Sequence, residues 1–341
     1  MPFNQQMALY VKQSKSLAIS NRGGFYMLTY RTYQSGDEVN IVHLWNKSLP
    51  KDPITTKRFR NLVLLDANFD PKGLCLAFDE EKLVGGVYGL RRLLPMIGTE
   101  LEEENGWITF FFVDSEYHQQ GIGSELLKQV ETFFKDKNRK TIFFASYAPN
   151  YILPGIDEEM YPEAFEFLQS NGYHKLYSPV AMDRNLLDFQ LTEEIKELKK
   201  KREAEGYTIS IAEDKDLYEV IQFANKVFNP DWGRAIREGL LQVLQMERVL
   251  IARHQEELVG FCLYGGYEGI PERFGPFGVD PNQQGKGLGK LLLYECLFQM
   301  KAEGLHNAWF LWTGEKSSAG HLYLKTGFHI TRKFHVMKKD I

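Results

Sequence analysis

The chain has 341 residues, long for one domain and comfortable for two. Its 41 lysines and arginines against 45 aspartates and glutamates leave a net charge of −4, which offers no general electrostatic footprint for nucleic acid. No apolar run approaches the ~20 residues of a membrane span, and "MPFNQQMALYVKQSKSLAI" lacks the apolar core of a signal peptide, so the expectation is a soluble, cytoplasmic protein. Cys75, Cys262 and Cys296 are too few and too scattered for a disulfide framework or a metal site; each sits in an apolar run and reads as a buried free thiol.

In chain order, "FYMLTYRTY" reads as a strand and Asp37 to Asn68 as largely helical. "GLCLAFD" and "LVGGVYGL" form a hairpin, "WITFFFV" is a continuous buried strand, and a glycine turn leads into a helix to about Lys137. The strand "TIFFAS", a helix near Ala164 and the strand "LYSPVAMD" follow. "LTEEIKELKKKREAEG" (Leu191 to Gly206) is a charged helical run and reads as a solvated linker. The order then recurs. "YTISIA", helices to about Met246, "RVLIAR", "LVGFCLYGG", "FGPFGV", a glycine turn, a helix to about Glu303, "NAWFLWTG", a short helix and the strand "ITRKFHVMKK" complete the chain. Each half is mixed α/β (α+β), a largely antiparallel sheet flanked by helices.

The recurrence is visible in letters. "VDSEYHQQGIGSELL" (Val113 to Leu127) matches "VDPNQQGKGLGKLLL" (Val279 to Leu293) at one offset of 166 residues. "EEKLVGGVYG" parallels "QEELVGFCLYG", and "AFEFLQSNGY" parallels "AGHLYLKTGF", at offsets that drift as insertions in loops would make them. Two repeats of this length are tandem domains, not a solenoid. The expected division is residues 1–188, a linker at 189–206, and residues 207–341.

Glycines directly before a strong helix cost roughly 0.5–1 kcal/mol each relative to alanine, so bare backbone must be needed there. A strand, glycine turn and helix leave free amides at the helix start, where the dipole also favours an anion. Gly285, Gly287 and Lys290 fail the G-x-G-x-x-G dinucleotide pattern, and Leu291 stands where a P-loop needs Ser or Thr. A tight turn without a ligand remains possible for one copy, but two copies after strands ending Val-Asp argue against it.

Gln284-Gly285-Lys286-Gly287-Leu288-Gly289 fits the Q/R-x-x-G-x-G/A signature, and "LYLKTGF" resembles the last helix, of the GCN5-related N-acetyltransferase (GNAT) superfamily. The duplication resembles tandem-GNAT proteins of the mycothiol synthase type, two GNAT-like domains in one chain. The resemblance implies acetyl-CoA as cofactor, its pyrophosphate on the amides after the turn and its pantetheine paired like an added strand with the preceding one. It assigns Val279, Gln284, Gly285, Lys286, Gly287, Leu288, Gly289 and Lys290 to cofactor binding. The equivalents in the first copy are Val113, His118, Gln119, Gln120, Gly121, Ile122, Gly123 and Ser124. His118 departs from the usual Gln or Arg; Tyr161 and Lys316 stand where the family often has asparagine.

Tyr323 occupies the family's general-acid position, and a phenol of pKa near ~10 keeps a proton for a departing thiolate. Its counterpart Leu168 has none to give, so the resemblance favours the C-terminal copy as catalytic and the N-terminal copy as degenerate. The Val279 amide is the implied oxyanion donor. Glu268 and Glu272 are candidate bases, with a water chain as the alternative; His321, two residues before Tyr323, faces away on the helix and reads as a surface or packing residue. Asp231 and Trp232 in "NPDWG" either border the acceptor pocket or form a helix start with Asp231 as cap. "NYILPGIDEEMYP" (Asn150 to Pro162) either shapes a pocket in the first copy or plugs it.

The expected function is transfer of acetyl from acetyl-CoA to the primary amine of a small molecule, by direct attack in a ternary complex. The alternative is a non-catalytic acyl-CoA sensor or scaffold. A third possibility, the related fold of aminoacyl-tRNA-dependent peptidoglycan transferases, gains nothing from the neutral-to-acidic charge. Nucleic acid, membrane and metal are not expected partners, and the chain is expected as a monomer or homodimer.

Overall fold

A computed structural model describes residues 15–21 and 24–341. It opens with strands β1 (Lys15–Asn21) and β2 (Gly24–Thr32), then helices α1 (Glu38–Ser48) and α2 (Thr56–Phe59). Next come β3 (Leu74–Asp79), β4 (Lys82–Leu90), β5 (Asn105–Val113), α3 (Ile122–Asp136), β6 (Thr141–Phe144), α4 (Pro162–Ser170), β7 (His174–Tyr177) and β8 (Pro179–Asn185). α5 (Glu193–Ala204), β9 (Tyr207–Ile211), α6 (Leu217–Phe223), α7 (Pro230–Gln242), β10 (Val249–His254), β11 (Glu257–Tyr264) and β12 (Phe274–Val279) follow. The chain ends with α8 (Leu288–Ala302), β13 (Asn307–Gly314), α9 (Ser318–Lys325), β14 (His329–Lys333) and β15 (Val336–Asp340).

Two compact units form. Of the described residues, the first comprises those up to 94, 101–177 and 335–341, the second 95–100 and 178–334. The first holds one sheet in the order β1-β2-β3-β4-β5-β6-β15-β7. α3 and α4 cover one face and α1 the other. α3 presents Ile122, Leu126, Val130 and Phe134, one every four residues, as a single buried stripe. The second unit repeats this with Leu288, Leu292, Cys296 and Met300 of α8, but its strands fall into two sheets, β12-β11-β10-β9 and β13-β8-β14.

The units are therefore not the two contiguous stretches expected from the repeat. "LYSPVAMD" and "ITRKFHVMKK" each read as one strand, yet each splits in two. β7 belongs to the first unit, while β8 enters the second and pairs with β13 and β14. β14 stays in the second unit, while β15 joins the first, between β6 and β7. The first break falls at Ser178-Pro179, where proline restricts the preceding backbone and contributes no N–H to a ladder. Each half of the sequence thus supplies a central strand to the other's unit.

The charged run is also more than a linker. α5 belongs to the second unit, Ile195 is buried at 1% exposure, and Lys199 pairs with Glu295 of α8 at 2.8 Å.

Met337 of β15 is fully buried among first-unit side chains. Met337→Ala is expected to cost about 2–5 kcal/mol. Hydrogen exchange should show the loss in β6 and β7, not in β13 and β14; the reverse pattern would contradict the exchanged strands.

Candidate acyl-transfer site

In both units the strand before the glycine turn parts from its neighbour. In the first, β5 and β6 run parallel from Asn105 beside Thr141 to Ile108 beside Phe144. The Ala145 amide closes this ladder on the Ile108 carbonyl at 2.8 Å, and β5 continues to Val113 without that neighbour. Thr109 bulges at the fork, because Tyr88 faces Phe110 while Gly89 faces Ile108. In the second unit the Trp309 amide bonds the Glu272 carbonyl at 3.0 Å, after which β12 and β13 lie in separate sheets. The bulge there takes in Gly275 and Pro276, since Cys262 faces Phe277 and Tyr264 faces Phe274. Thr109 and Gly275 stand at the same 166-residue offset as the glycine turns. The proline inside "FGPFGV" is the sign of this bulge in the sequence.

The two turns match bond for bond. The Asp114 amide donates to the Val84 carbonyl and the Asp280 amide to the Val259 carbonyl, each at 2.9 Å. Each aspartate then caps a short 3-10 turn, through the amides of Glu116 (3.1 Å) and Asn282 (2.9 Å). The repeated Val-Asp is thus a device that fixes the turn. α3 and α8 begin on left-handed glycines, Gly121 (φ +83°) and Gly287 (φ +76°), and neither has a capping side chain. The first intrahelical bonds are Glu125 to Gly121 and Leu291 to Gly287, both 3.0 Å. The amides of Ile122 to Ser124 and of Leu288 to Lys290 are left for a ligand or water. A β-carbon at Gly121 would meet open space.

The basic side chains expected at the second turn face elsewhere. Lys286 Nζ donates to the Tyr207 hydroxyl and to Gln283 Oε1, both at 2.7 Å, and Lys290 Nζ pairs with Glu194 at 2.7 Å. Gln284 is exposed. In the first unit His118 Nε2 lies 3.2 Å from the Val113 carbonyl, so the departing residue folds back onto the strand end.

Tyr323 and Leu168 occupy one backbone position: their carbonyls accept from Phe328 and Tyr173, each at 3.0 Å. Leu168 is core. Tyr323 is 6% exposed, its ring centroid 4.6 Å from Phe310 of β13, 5.9 Å from Phe274 and 6.1 Å from Phe277 of β12. Its ring therefore bridges the two diverging strands. Burial, then the Cys262 and Cys296 thiols nearby, push its phenol well above the ordinary tyrosine range.

Among the other candidates, Glu268 forms a 2.7 Å ion pair with buried Arg273, which commits its charge. Glu272 contributes its carbonyl to the fork and its side chain is half-buried. Asp231 is not the cap of α7; Asn229 is, accepting from the Trp232 amide at 3.3 Å, while Asp231 is buried against Arg234 at 2.8 Å. Trp232 stacks on Phe228 at 4.6 Å. His321 is exposed, as expected.

The Asn150-to-Pro162 insertion shapes a pocket. Its residues Ile152, Leu153, Gly155 to Asp157 and Tyr161 line a cavity of about 60 Å³ at the first unit's fork, with Trp45, Leu49 and Thr109 to Phe111. Thr109 Oγ1, at the bulge, is buried without a hydrogen-bond partner among the described residues. A polar cluster that the sequence did not signal ties the insertion down: Asn150 to Asp66, Tyr147 to Asp66 at 3.2 Å, and Asn68 to Tyr147 at 2.8 Å. Burial raises the Asp66 carboxyl above its ordinary range despite those donors.

Comparison with known proteins decides the family. The acetyltransferase (GNAT) family profile matches residues 39–152 and an acetyltransferase (GNAT) domain profile matches residues 245–330, together more than half the chain. The chain belongs to the GNAT family, and it is an acyltransferase. Over 115 residues this GNAT protein is 34% identical to the [ribosomal protein bS18]-alanine N-acetyltransferase of Haemophilus influenzae, covering 33% of this chain and 73% of that one. Among solved structures it resembles a GCN5-related glucosamine N-acetyltransferase region of a fungal multi-domain GH3 β-N-acetylglucosaminidase (TM-score 0.75, 16% identity, 94% of this chain). The chain spans 39% of that larger protein's length. A tandem GNAT protein from the clavulanic acid biosynthesis pathway aligns over 92% of this chain and 98% of its own (TM-score 0.59, 15% identity). GNAT enzymes use acetyl-CoA as acyl donor and act on amines. The open amides and the bare strand edge at each fork fit such a donor: the first suit a diphosphate, the second an extended amide-bearing arm. Among the described residues no helix is long and apolar enough to cross a membrane.

Asp114 holds the first unit's turn in place. Burial raises its carboxyl pKa, but the Lys47 hydrogen bond and the Glu116 amide outweigh this and hold it below the usual carboxylate range. A folded-state pKa below the unfolded value stabilises above that unfolded value, near ~4, and the gain is lost as pH falls through the folded one. Amide protection factors in α3 and β5 should therefore fall below about pH 4 in the wild type; Asp114→Asn should show a flatter acid dependence.

Proposed function

We propose that this chain transfers the acetyl group of acetyl-CoA to the primary amine of a small molecule, and that the second unit does the transferring. The observation that carries this is the contrast at one backbone position. Tyr323 sits between the parted strands with a proton to give, whereas Leu168 has none.

In this reading the amides of Leu288, Gly289 and Lys290 hold the diphosphate, and the β12 edge up to Val279 pairs with the pantetheine arm. Acetyl-CoA supplies an activated acetyl thioester. The Val279 amide is the donor aimed at the carbonyl oxygen where negative charge develops. Tyr323 keeps its hydroxyl proton across the neutral range; it would give that proton to the departing thiolate and take one back from solvent water before the next turnover. The amine's own proton leaves to solvent water or to Glu272, since Arg273 occupies Glu268.

The first unit, with the same open turn and a cavity at its fork but Leu168 in place of Tyr323, supports a second reading for that unit alone. There the residues from Val113 and His118 to Ser124 would hold acyl-CoA without transferring it.

Acetyl-CoA consumption measured across an amine panel should fall about 10²-fold or more in Tyr323→Phe at every pH. Because the phenol is raised, the wild-type rate should show no alkaline fall near pH ~10 from loss of this proton. Equal rates in the two proteins would remove Tyr323 from the mechanism.

A further inference from the structure

The second unit's turn has a support that, among the described residues, the first unit's turn lacks. α5 lies against it, and three contacts converge there. Arg202 Nε donates to the Lys286 carbonyl at 2.7 Å. Leu198 packs so closely that a β-carbon at Gly287 would fall 3.0 Å from its Cδ2. Lys290, two residues into α8, is tied to Glu194 at the start of α5.

The Arg202 contact is the informative one. The Lys286 carbonyl belongs to the peptide whose N–H is that of Gly287, the left-handed residue on which α8 begins. Were this peptide to rotate, Gly287 would leave its positive φ and the next three amides would change direction. A guanidinium on the carbonyl holds the peptide plane, and such charge-assisted bonds are stronger than neutral ones. Arg202 is itself held, 15% exposed, by an ion pair with Glu205. In the first unit the corresponding carbonyl is that of Gln120; among the described residues no side chain reaches it, and the Gln120 side chain turns back to the Glu116 carbonyl at 3.4 Å.

We propose that Arg202 is a positioning residue for the second unit's diphosphate site, and that α5 is part of that site rather than a spacer. By fixing the Lys286 carbonyl it keeps the amides of Leu288 to Lys290 aimed outward before the thioester arrives. This rests on the reading of that turn as the diphosphate site.

The test is a titration of the full chain with CoA, following the amide resonances of Leu288, Gly289 and Lys290, which report this turn and not the first unit's. Arg202→Ala should weaken the apparent affinity about tenfold, the size of one charge-assisted hydrogen bond. Arg202→Lys, which keeps a donor, should recover part of it. Glu205→Ala, which removes the outer partner but not the carbonyl contact, should stay close to the wild type. A loss in Arg202→Ala that Arg202→Lys does not recover at all would assign the effect to packing and overturn the proposal. Gly287→Val separates the two levels. If it abolishes the titration while Arg202→Ala leaves it unchanged, the positioning role fails and the diphosphate site stands. If neither changes it, the site reading fails and takes this inference with it.

Discussion

An α-helix that starts without a cap leaves its first amides exposed, and most helices avoid this with Ser, Thr, Asp or Asn. α3 and α8 both start without one, and in each the preceding residue is a left-handed glycine that no other residue type replaces without strain. Everything near the turns accommodates that opening. An aspartate fixes the chain just upstream through its amide and its carboxylate, and a four-residue stripe anchors the helix to the sheet beneath. The positive end of the helix is thereby held rigid and open at once, which is what binding of an anion by main chain requires.

The parted strands complete the arrangement. A bulge at Thr109 or at Gly275-Pro276 bends the strand away from its parallel neighbour, and from there its outer edge carries unpaired backbone groups. An exposed edge of this kind is a liability unless something pairs with it. The two units differ in what stands at the fork: the Tyr323 ring packed between the parted strands in the second, and in the first a cavity lined by Trp45, Thr109 and Tyr161, with Leu168 at the matching helix position. The open helix start is common to both units, and the side chains beside it differ.

What could be read in advance was local. The glycine turns, the Val-Asp pair, the helix stripes and the Tyr323/Leu168 contrast all lie within a few residues of one another in sequence. The exchange of β8 and β15 was not legible, because "LYSPVAMD" and "ITRKFHVMKK" suit a strand in either unit and nothing local names a strand's partner. α5 was misread for a related reason: a highly charged helix looks solvated, yet one buried isoleucine and a few long side chains suffice to fix it. Asp231 and Asn229 both cap well by composition, so only geometry chose between them.

The central claim is that open main-chain amides, not lysine side chains, grip the diphosphate of the acyl carrier. A crystal structure of the complex with CoA tests it most directly. Diphosphate oxygens are expected about 2.7–3.2 Å from the amide nitrogens of Leu288 to Lys290, with Lys286 and Lys290 still turned toward Tyr207 and Glu194. CoA bound elsewhere, or a diphosphate held by those two ammonium groups with the amides unengaged, would contradict it.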